Sequence, residues 1–214
     1  MRLTAVLTVL ILAAAPATTA ALAQARPEAR PLPDTGKGAA KPAPDAKDAP
    51  KPPRKPATLD ELFARLSAAK DEGEANGVAN LIERRWARSG SDTADLLMSR
   101  AEEAMKAKEF PLAIELLDRV LALRPEWAEA WHRRATAFFL LDDPVSAIAD
   151  LNRVVAKEPR HFGAWAGLGH IYMSGGDKRQ ALAAYRKALA IHPYLAKLRD
   201  VVERLGPEID GRDI

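Results

Sequence analysis

The sequence predicts an all-α fold, a solenoid of antiparallel helix pairs closed by a C-terminal capping helix. Three prolines, Pro125, Pro159 and Pro193, follow one another at a constant interval of 34 residues. Within each interval the apolar residues recur at helical spacing, and the pattern breaks near the middle. Two helices in 34 residues form a repeat that buries its apolar face only by stacking on a neighbouring copy.

Composition and charge narrow the classes of function. The 214 residues contain no cysteine, which excludes a disulfide framework, a thiol nucleophile and a thiolate metal site. Residues 26–57 hold eight basic and four acidic residues, whereas residues 58–214 hold 23 basic and 25 acidic ones. A nucleic-acid-binding domain concentrates its basic residues on the folded part. The sequence therefore predicts no nucleic-acid partner.

Residues 1–23 have the three parts of a secretory signal peptide. Met1-Arg2 is positively charged, Leu3–Ala15 is apolar, and Ala21 and Ala23 are the small residues of a cleavage site. Proline and threonine interrupt the apolar run before it reaches the ~20 residues that a membrane-spanning helix needs. We expect cleavage after Ala23 or Ala25, no stable membrane span afterwards, and an exported protein that is periplasmic or secreted.

Residues 24–57 form a linker rich in proline, alanine and lysine. Nine prolines stand in residues 26–57, without any valine, isoleucine, phenylalanine, tryptophan or tyrosine. Such a segment cannot offset the entropy of ordering, so we expect disorder with an extended bias. The basic residues leave a second interpretation open, in which the linker binds an anionic envelope surface.

The rest of the chain divides into helical units. Thr58-Leu59-Asp60-Glu61 is a capping box that opens a divergent helical hairpin over residues 58–93, expected to cap the N-terminal end of the solenoid. The three repeats are residues 94–127, 128–161 and 162–195. The apolar spacing of residues 194–205 predicts a capping helix that ends at Gly206-Pro207, and residues 206–214 are expected to be frayed.

Small, aromatic, leucine and proline residues recur with the same 34-residue step. They are Ala101, Ala113, Leu117 and Pro125 in the first unit, Trp131, Ala135, Phe138, Ala147, Leu151 and Pro159 in the second, and Trp165, Leu168, Gly169, Tyr172, Ala181, Tyr185, Ala188 and Pro193 in the third. This pattern resembles the tetratricopeptide repeat (TPR) over residues 94–195. The third unit matches every signature position, whereas the second has Arg134 and Val154 where leucine and alanine are usual. The resemblance extends to small exported TPR proteins of Gram-negative bacteria.

The signature residues have a structural explanation. Gly169 and Ala181 are small because the two helices of a repeat approach most closely there. Trp165 and Tyr172 fill the space around the crossing. A bulky residue at position 181 would overpack the repeat. We therefore assign the signature residues to the core and not to a site.

No catalytic, cofactor or metal site is predicted. Glu129 and His132 have the carboxylate–histidine spacing of a metal-binding helix, but such sites need a second motif of this kind, which the sequence does not contain. The glycines at 163, 167 and 169 lack the lysine of a phosphate-binding loop. The protein is expected not to be an enzyme.

The TPR resemblance implies a concave surface lined by the first helix of each repeat. Its groove positions are Asp95, Met98, Glu102, Met105, Glu129, His132, Thr136, Phe139, Gly163, Ala166, His170 and Met173. Methionines and a phenylalanine form an adaptable apolar surface suited to a helix or an extended peptide. The acidic residues favour a basic group on the ligand. Some of these residues could instead belong to the core between repeats.

Chaperone-binding TPR proteins hold a carboxylate-ended tail with lysine, asparagine and arginine on successive first helices. Only Arg133 matches that pattern here, so the tail of a cytosolic chaperone is not the expected ligand. The resemblance implies a non-catalytic adaptor or scaffold that captures a protein or peptide partner in its groove. The alternative is an envelope tether that associates through its basic linker and uses the repeats for self-association.

Overall fold

The structure is a computed structural model that describes residues 56–211. The predicted signal peptide and all but the last two residues of the predicted linker lie outside the described residues. Within residues 56–211 the chain forms nine α-helices and no strand. The helices are α1 Leu59–Ser67, α2 Glu72–Trp86, α3 Asp92–Lys106, α4 Phe110–Leu123, α5 Ala128–Leu140, α6 Pro144–Lys157, α7 Phe162–Ser174, α8 Lys178–Ile191 and α9 Ala196–Asp210. The all-α prediction is confirmed.

Each repeat turns from its first to its second helix through one residue in the left-handed backbone region. These residues are Lys108, Asp142 and Gly176, with φ of 62°, 63° and 80°. After each of them a backbone N–H reaches back to the preceding helix, as from Asp177 to the carbonyl of Tyr172 at 2.9 Å. This bond satisfies a carbonyl that the end of the helix would otherwise leave free. The 34-residue step therefore extends to the backbone conformation.

Tryptophan side chains hold the turns that precede α5 and α7. The indole N–H of Trp131 donates to the carbonyl of Pro125 at 2.8 Å, and that of Trp165 donates to the carbonyl of Pro159 at 2.9 Å. The ring of Trp131 is buried in the core that α3 to α8 share. The tryptophan of the repeat thus joins its own helix to the end of the previous unit.

The two helices of the third repeat meet at Gly169. A Cβ atom built on this glycine would lie 2.4 Å from two ring carbons of Tyr185. Ala181 and Ala188 are fully buried on the facing side of α8. No side chain fits at Gly169 without displacing a buried aromatic ring, which is the physical reason for glycine at this signature position.

The hairpin α1–α2 does not stack end-on against α3 as a degenerate capping repeat would. It lies along the edge formed by the inter-repeat turns, residues 124–127, 158–161 and 192–195. Its apolar residues, among them Leu66, Val78 and Ile82, share a core with Phe162 and Tyr194. The hairpin took this position because its aromatic residues find partners in the turns, which helical periodicity alone does not reveal.

Polar and aromatic contacts join the hairpin to each inter-repeat turn. At the first turn, the indole N–H of Trp127 donates to the carbonyl of Trp86 at 2.7 Å. At the second, Arg160 pairs with Asp60 at 2.6 Å. At the third, the hydroxyl of Tyr194 donates to the carbonyl of Ala69 at 3.0 Å. The hairpin therefore spans the solenoid along one edge.

The capping helix is longer than predicted. α9 continues through Gly206 and Pro207 to Asp210, whereas the sequence predicts an end at residue 205. Pro207 removes only one N–H from the helix, and ion pairs tie the extension to α8: Lys178 with Glu208 at 2.8 Å and Arg186 with Asp210 at 2.5 Å. Residues 206–210 are thus helical, and residues 212–214 lie outside the described residues.

A helix that crosses a bilayer needs about 20 predominantly apolar residues. Among residues 56–211, no helix combines the length and the apolar content that crossing a membrane requires.

Candidate partner-binding site

An apolar cleft of about 240 Å³ opens on the concave surface between α5 and α7. Predicted groove residues His132, Thr136 and Phe139 line one wall, and His170 lies on the other. Gly163, Ala166 and Gly167 keep the α7 wall free of large side chains. The remaining lining residues are Ala135, Leu151 and Ile171. The ring of Phe139 is 39% exposed. The structure thus brings six predicted groove positions together in one cleft, those of His132, Thr136, Phe139, Gly163, Ala166 and His170.

A buried tyrosine orients His170 at the cleft. The hydroxyl of Tyr185 lies 2.9 Å from Nδ1 of His170, and the two rings are arranged edge to face. Desolvation lowers the pKa of His170, which keeps the ring neutral near neutral pH. The cleft wall at this point is a neutral imidazole held by the core of the repeat.

A polar cluster lies at the N-terminal ends of α5 and α7, next to the cleft. Glu129 is buried, and its carboxylate accepts a hydrogen bond from Nε2 of His161 at 3.2 Å. Nδ1 of His132 and Nε of Arg133 lie 3.7 and 2.8 Å from the other oxygen. Burial opposes the charged form of Glu129, but the two neighbouring histidines, of which His161 is hydrogen-bonded to it, and the charge of Arg133 outweigh this effect and hold its pKa far below the ordinary value. Glu129 is therefore an ionised carboxylate.

His161 is fixed in one tautomer by its two nitrogens. The backbone N–H of Ala164 donates to Nδ1 at 3.0 Å, so Nδ1 carries no proton, and Nε2–H faces Glu129. His161 is thus the N-cap of α7. Burial lowers its pKa, in opposition to the hydrogen bond with Glu129. The neutral ring uses both of its nitrogens.

Glu129, His132 and His161 have ligand atoms within 4.8 Å of one another, a spacing that a metal ion could bridge. The proton arrangement does not fit a metal. A ligating histidine donates its other N–H to an acceptor, whereas the other nitrogen of His161 accepts from a backbone N–H. Coordination at Nε2 would move the proton to Nδ1, against the N–H of Ala164. The guanidinium of Arg133 adds a fixed positive charge at 2.8 Å from Glu129.

The acidic end of the concave surface continues beyond this cluster. Glu102 on α3 lies 3.5 Å from Nε of Arg133, and Met105 lies beside them. Glu83, on α2, also lines the small pocket at Glu129. Desolvation and the negative charge of Glu129 raise the pKa of Glu83. No ion pair to Glu83 is present within residues 56–211. Three carboxylates thus surround one arginine.

Two predicted groove methionines lie elsewhere, and Asp95 accepts hydrogen bonds from the backbone N–H and the hydroxyl of Ser89, in the loop before α3. Met98 is buried in the core between the first two repeats, so it does not line the groove. Met173 is partly buried and packs against the cluster formed by α8 and α9. In both cases a neighbouring helix covers the thioether, because long apolar side chains at the margin of a solenoid face add to the adjacent core.

Sequence reasoning missed the role of Arg134. Its guanidinium donates to both carboxylate oxygens of the buried Asp150, at 2.7 and 2.9 Å, and to Asp118 at 2.5 Å. It also lies over the ring of Trp131, at 4.7 Å from the centroid. An arginine at a position where the repeat usually has leucine was the signal, because a charge in a core demands a buried partner. The cluster joins α4, α5 and α6.

Comparisons with known proteins agree with the repeat geometry. Models of the tetratricopeptide repeat match residues 98–155 and 163–195. A TPR repeat-containing protein of Rhizobium etli is 37% identical over 153 residues, which cover 72% of this chain and 75% of that protein. The chain belongs to the tetratricopeptide repeat family. The small glutamine-rich TPR-containing protein 2 of Mycosarcoma maydis is 31% identical over 100 residues, which make up 47% of this chain and 28% of that relative.

Solved TPR structures share the fold. The Sgt2 TPR domain from Aspergillus fumigatus has a TM-score of 0.52 and 23% identity, with 57% of this chain and 83% of that chain covered. The TPR2B domain of yeast Sti1, solved in complex with pHsp70, has a TM-score of 0.51 and 18% identity, with 55% and 99% covered. At these identities the likeness shows the TPR solenoid alone, and it confirms the predicted fold class.

The predicted absence of a chaperone-tail clamp stays a prediction. Arg133 is the one clamp-like residue, and its guanidinium already pairs with Glu129 and Glu102. Counted from the repeat that starts at residue 94, the other clamp positions hold the buried Met98, the carboxylate of Glu102 and the cleft glycines Gly163 and Gly167. A terminal carboxylate would find one occupied cation and an excess of carboxylates there.

Proposed function

We propose that this protein is an exported, non-catalytic interaction module that binds a peptide or helix of a partner protein in the concave cleft. TPR domains are protein-interaction modules, and the cleft between α5 and α7 carries the proposal for this chain. Its volume of about 240 Å³ lies below the range of pockets for drug-sized ligands and cofactors. Such a cleft suits a side chain presented by a larger partner. Export is supported by the signal-peptide pattern of residues 1–23.

The surroundings of the cleft define the chemistry of the ligand. The apolar walls accept an apolar side chain that contacts Phe139 and Ala166. Toward the N-terminal repeats, the carboxylates of Glu83, Glu102 and Glu129 border the groove, and the cations beside them are Arg133 and Lys106, so carboxylates remain in excess. A basic side chain there would gain a favourable charge interaction. The expected ligand motif is therefore an apolar residue with a lysine or arginine nearby.

The test is affinity capture from a cell-envelope extract with residues 24–214 as bait. The variant Phe139→Glu places a charge in the cleft. Val145→Glu is the matched control, because Val145 is 76% exposed on α6 and does not line the cleft. A protein retained by the parent and the control but lost with Phe139→Glu supports the proposal. Equal capture by all three baits refutes binding in the cleft.

The ligand chemistry is tested on the captured partner. Peptides that tile its sequence are titrated against the parent protein and against Glu102→Gln and Glu83→Gln. We expect the binding peptide to contain a basic residue and each variant to weaken it, with a smaller effect at higher salt. Equal affinity of the parent and both variants would exclude a basic group at this end of the groove.

A second proposal is an envelope tether, favoured by the eight basic residues in residues 26–57. Deletion of residues 26–57 distinguishes the two. A groove binder keeps its affinity for a partner peptide, whereas a tether loses its association with anionic envelope vesicles.

A further inference from the structure

The hairpin α1–α2 meets the repeats at a histidine in each of two inter-repeat turns. The ring of Trp86 stacks on His161, with centroids 4.3 Å apart and planes at 8°. At the third turn, His192 packs edge-on against Phe162 at 5.2 Å, and Phe162 belongs to the core that the hairpin shares with the repeats. Both imidazoles are 2% exposed. The contact between hairpin and solenoid thus contains two buried titratable groups.

A second proton on His161 has no place in this arrangement. Nδ1 accepts the N–H of Ala164, so a proton at Nδ1 would face another donor at 3.0 Å. It would also put a positive charge at the N-terminus of α7, the positive end of the helix dipole. To find a new partner the ring must turn away from Ala164, and this breaks its parallel stack on Trp86.

The surrounding charges decide how strongly His161 resists protonation. Glu129 on α5 faces Nε2 and favours the charged ring, and a cation stacked on Trp86 would gain some attraction. Burial and the neighbouring His132 oppose the charged ring. Protonation would also break the N-cap hydrogen bond, because the new proton would occupy the lone pair of Nδ1 that now accepts the N–H of Ala164. Arg133 on α5 pairs with Glu129, and Glu83 on α2 lines the same small pocket as His161. Arg160, beside His161, pairs with Asp60 and Glu158.

Within residues 56–211, His192 lacks a hydrogen-bond partner of the kind that His161 has at Nδ1. Its Nδ1 is buried and has no hydrogen-bond partner among the described residues. Burial lowers its pKa, and Glu72, at the start of α2, is the carboxylate that acts on it from the hairpin. A charged ring at this position would be buried against the ring of Phe162 without an ion pair within hydrogen-bond distance in the part of the chain that the structure describes.

We propose that the α1–α2 hairpin is an acid-released brace: protonation of His161 and His192 separates it from the inter-repeat turns while the three repeats stay folded. The docked hairpin joins all three turns through Trp86, Asp60 and Ala69 and so fixes the repeats relative to one another. Separation exposes Phe162 and Tyr194 along that edge. It also opens the pocket that Glu83 and Trp86 now close over Glu129.

The experiment uses the absence of native cysteine in residues 24–214. Spin labels are placed on exposed positions of the hairpin and of α8 with Asn76→Cys and Ala183→Cys. A control pair within the repeats is Ala149→Cys with Ala183→Cys. Pulsed electron resonance measures both distances between pH 8 and pH 5, with circular dichroism as a check of helicity.

The hairpin pair is expected to gain a population at longer distance as the pH falls below the ordinary histidine value of 6.5. The control pair should not change. Each proton taken up on opening raises the ratio of open to docked hairpin by up to about tenfold per pH unit, or about 100-fold for two histidines. A hairpin distance unchanged down to pH 5 overturns the proposal, as does simultaneous loss of both distances.

Variants separate the histidines from the carboxylates. Asparagine accepts an N-cap hydrogen bond and does not titrate, so His161→Asn with His192→Asn is expected to remove the pH dependence of the ratio. The same pH dependence in this variant assigns it to Glu83 or Glu129 and refutes the proposal. If the hairpin of the double variant is already released at pH 8, the single variant His192→Asn is measured instead. It leaves the stack of Trp86 on His161 in place, so the ratio of open to docked hairpin should change by about tenfold per pH unit and not 100-fold. An unchanged pH dependence of this ratio refutes the proposal.

Discussion

The close approach of α7 and α8 leads to a sharp prediction for Gly169→Ala. A Cβ at this position would lie 2.4 Å from Cδ1 and Cε1 of Tyr185 and 3.0 Å from Cγ. The ring cannot move aside easily, because Tyr185 is buried and its hydroxyl is held by His170 at 2.9 Å. The added methyl must therefore push two packed helices apart.

The magnitude follows from two opposing effects. Overpacking a core costs about 1–3 kcal/mol, and a contact of 2.4 Å with a ring that is held in place belongs to the upper part of that range, about 2–3 kcal/mol. Replacing a glycine inside a helix by alanine recovers up to about 1 kcal/mol. We expect Gly169→Ala to lower the free energy of unfolding by about 1–2 kcal/mol, or the melting temperature by roughly 2–8 °C for a folded part of this size.

Gly77→Ala is the matched control. Gly77 lies inside α2, and a Cβ there would meet no heavy atom within 4 Å. The same substitution should therefore stabilise the protein by about 0.5–1 kcal/mol through helix propensity alone. Urea denaturation followed by circular dichroism measures both variants. The reasoning is refuted if Gly169→Ala is as stable as the parent.

A double-mutant cycle identifies the clash. In a Tyr185→Leu background the aromatic ring is absent, so Gly169→Ala should lose most of its cost. The coupling energy between positions 169 and 185 is then expected to be at least about 1 kcal/mol. Equal effects of Gly169→Ala in both backgrounds would show that the glycine is needed for another reason.

Three further predictions concern charge, pH and capping. Arg134→Leu leaves Asp150, which is 4% exposed, without its bidentate partner, and should lower the free energy of unfolding in urea by about 3–5 kcal/mol. Adding Asp150→Leu should recover most of this loss, and a loss below about 0.5 kcal/mol for Arg134→Leu would contradict this account. The free energy of unfolding should fall as the pH falls below 6.5. The pKa values of His161 and His192 are lowered in the folded protein, so the unfolded chain binds protons that the folded one does not. Each ring contributes a loss of up to about 1.4 kcal/mol per pH unit, and a free energy of unfolding that is constant between pH 7 and pH 5 would exclude this. Thr58→Ala removes the capping box of α1 and should reduce the hydrogen-exchange protection of α1 by about 1 kcal/mol while α3 to α8 keep theirs.

The repeats could be predicted from the sequence because their signals are local and recur. Gly169 and Trp165 stand at fixed steps, and each has a single packing role that follows from its size. The left-handed turn residues could be predicted only in part, since a glycine such as Gly176 indicates such a turn, whereas a lysine such as Lys108 does not. Lysine is tolerated there because its backbone is held by the bonds that close α3.

The position of the hairpin could not be derived in the same way. Periodicity correctly identifies the apolar face of the hairpin. The contacts that position it join residues far apart in the chain, Trp86 with His161 and Ala69 with Tyr194. Nothing in the spacing distinguishes a hairpin stacked on α3 from one that lies across the turns. The polar cluster around Glu129 depends on the same placement, so Glu83 was not among the predicted site residues.

His132 links the cleft to the brace. Its ring lines the cleft between α5 and α7, and it also borders the pocket that Trp86 closes, 4.6 Å from the ring of His161. We expect a ligand that holds His132 in place to bind the docked form more tightly, because His132 borders both the cleft and the pocket that Trp86 closes. Coupling between two sites is reciprocal, so a ligand that binds the docked form tenfold more tightly must lower the open-to-docked ratio tenfold when it is saturating. That shift would move the acid release to lower pH.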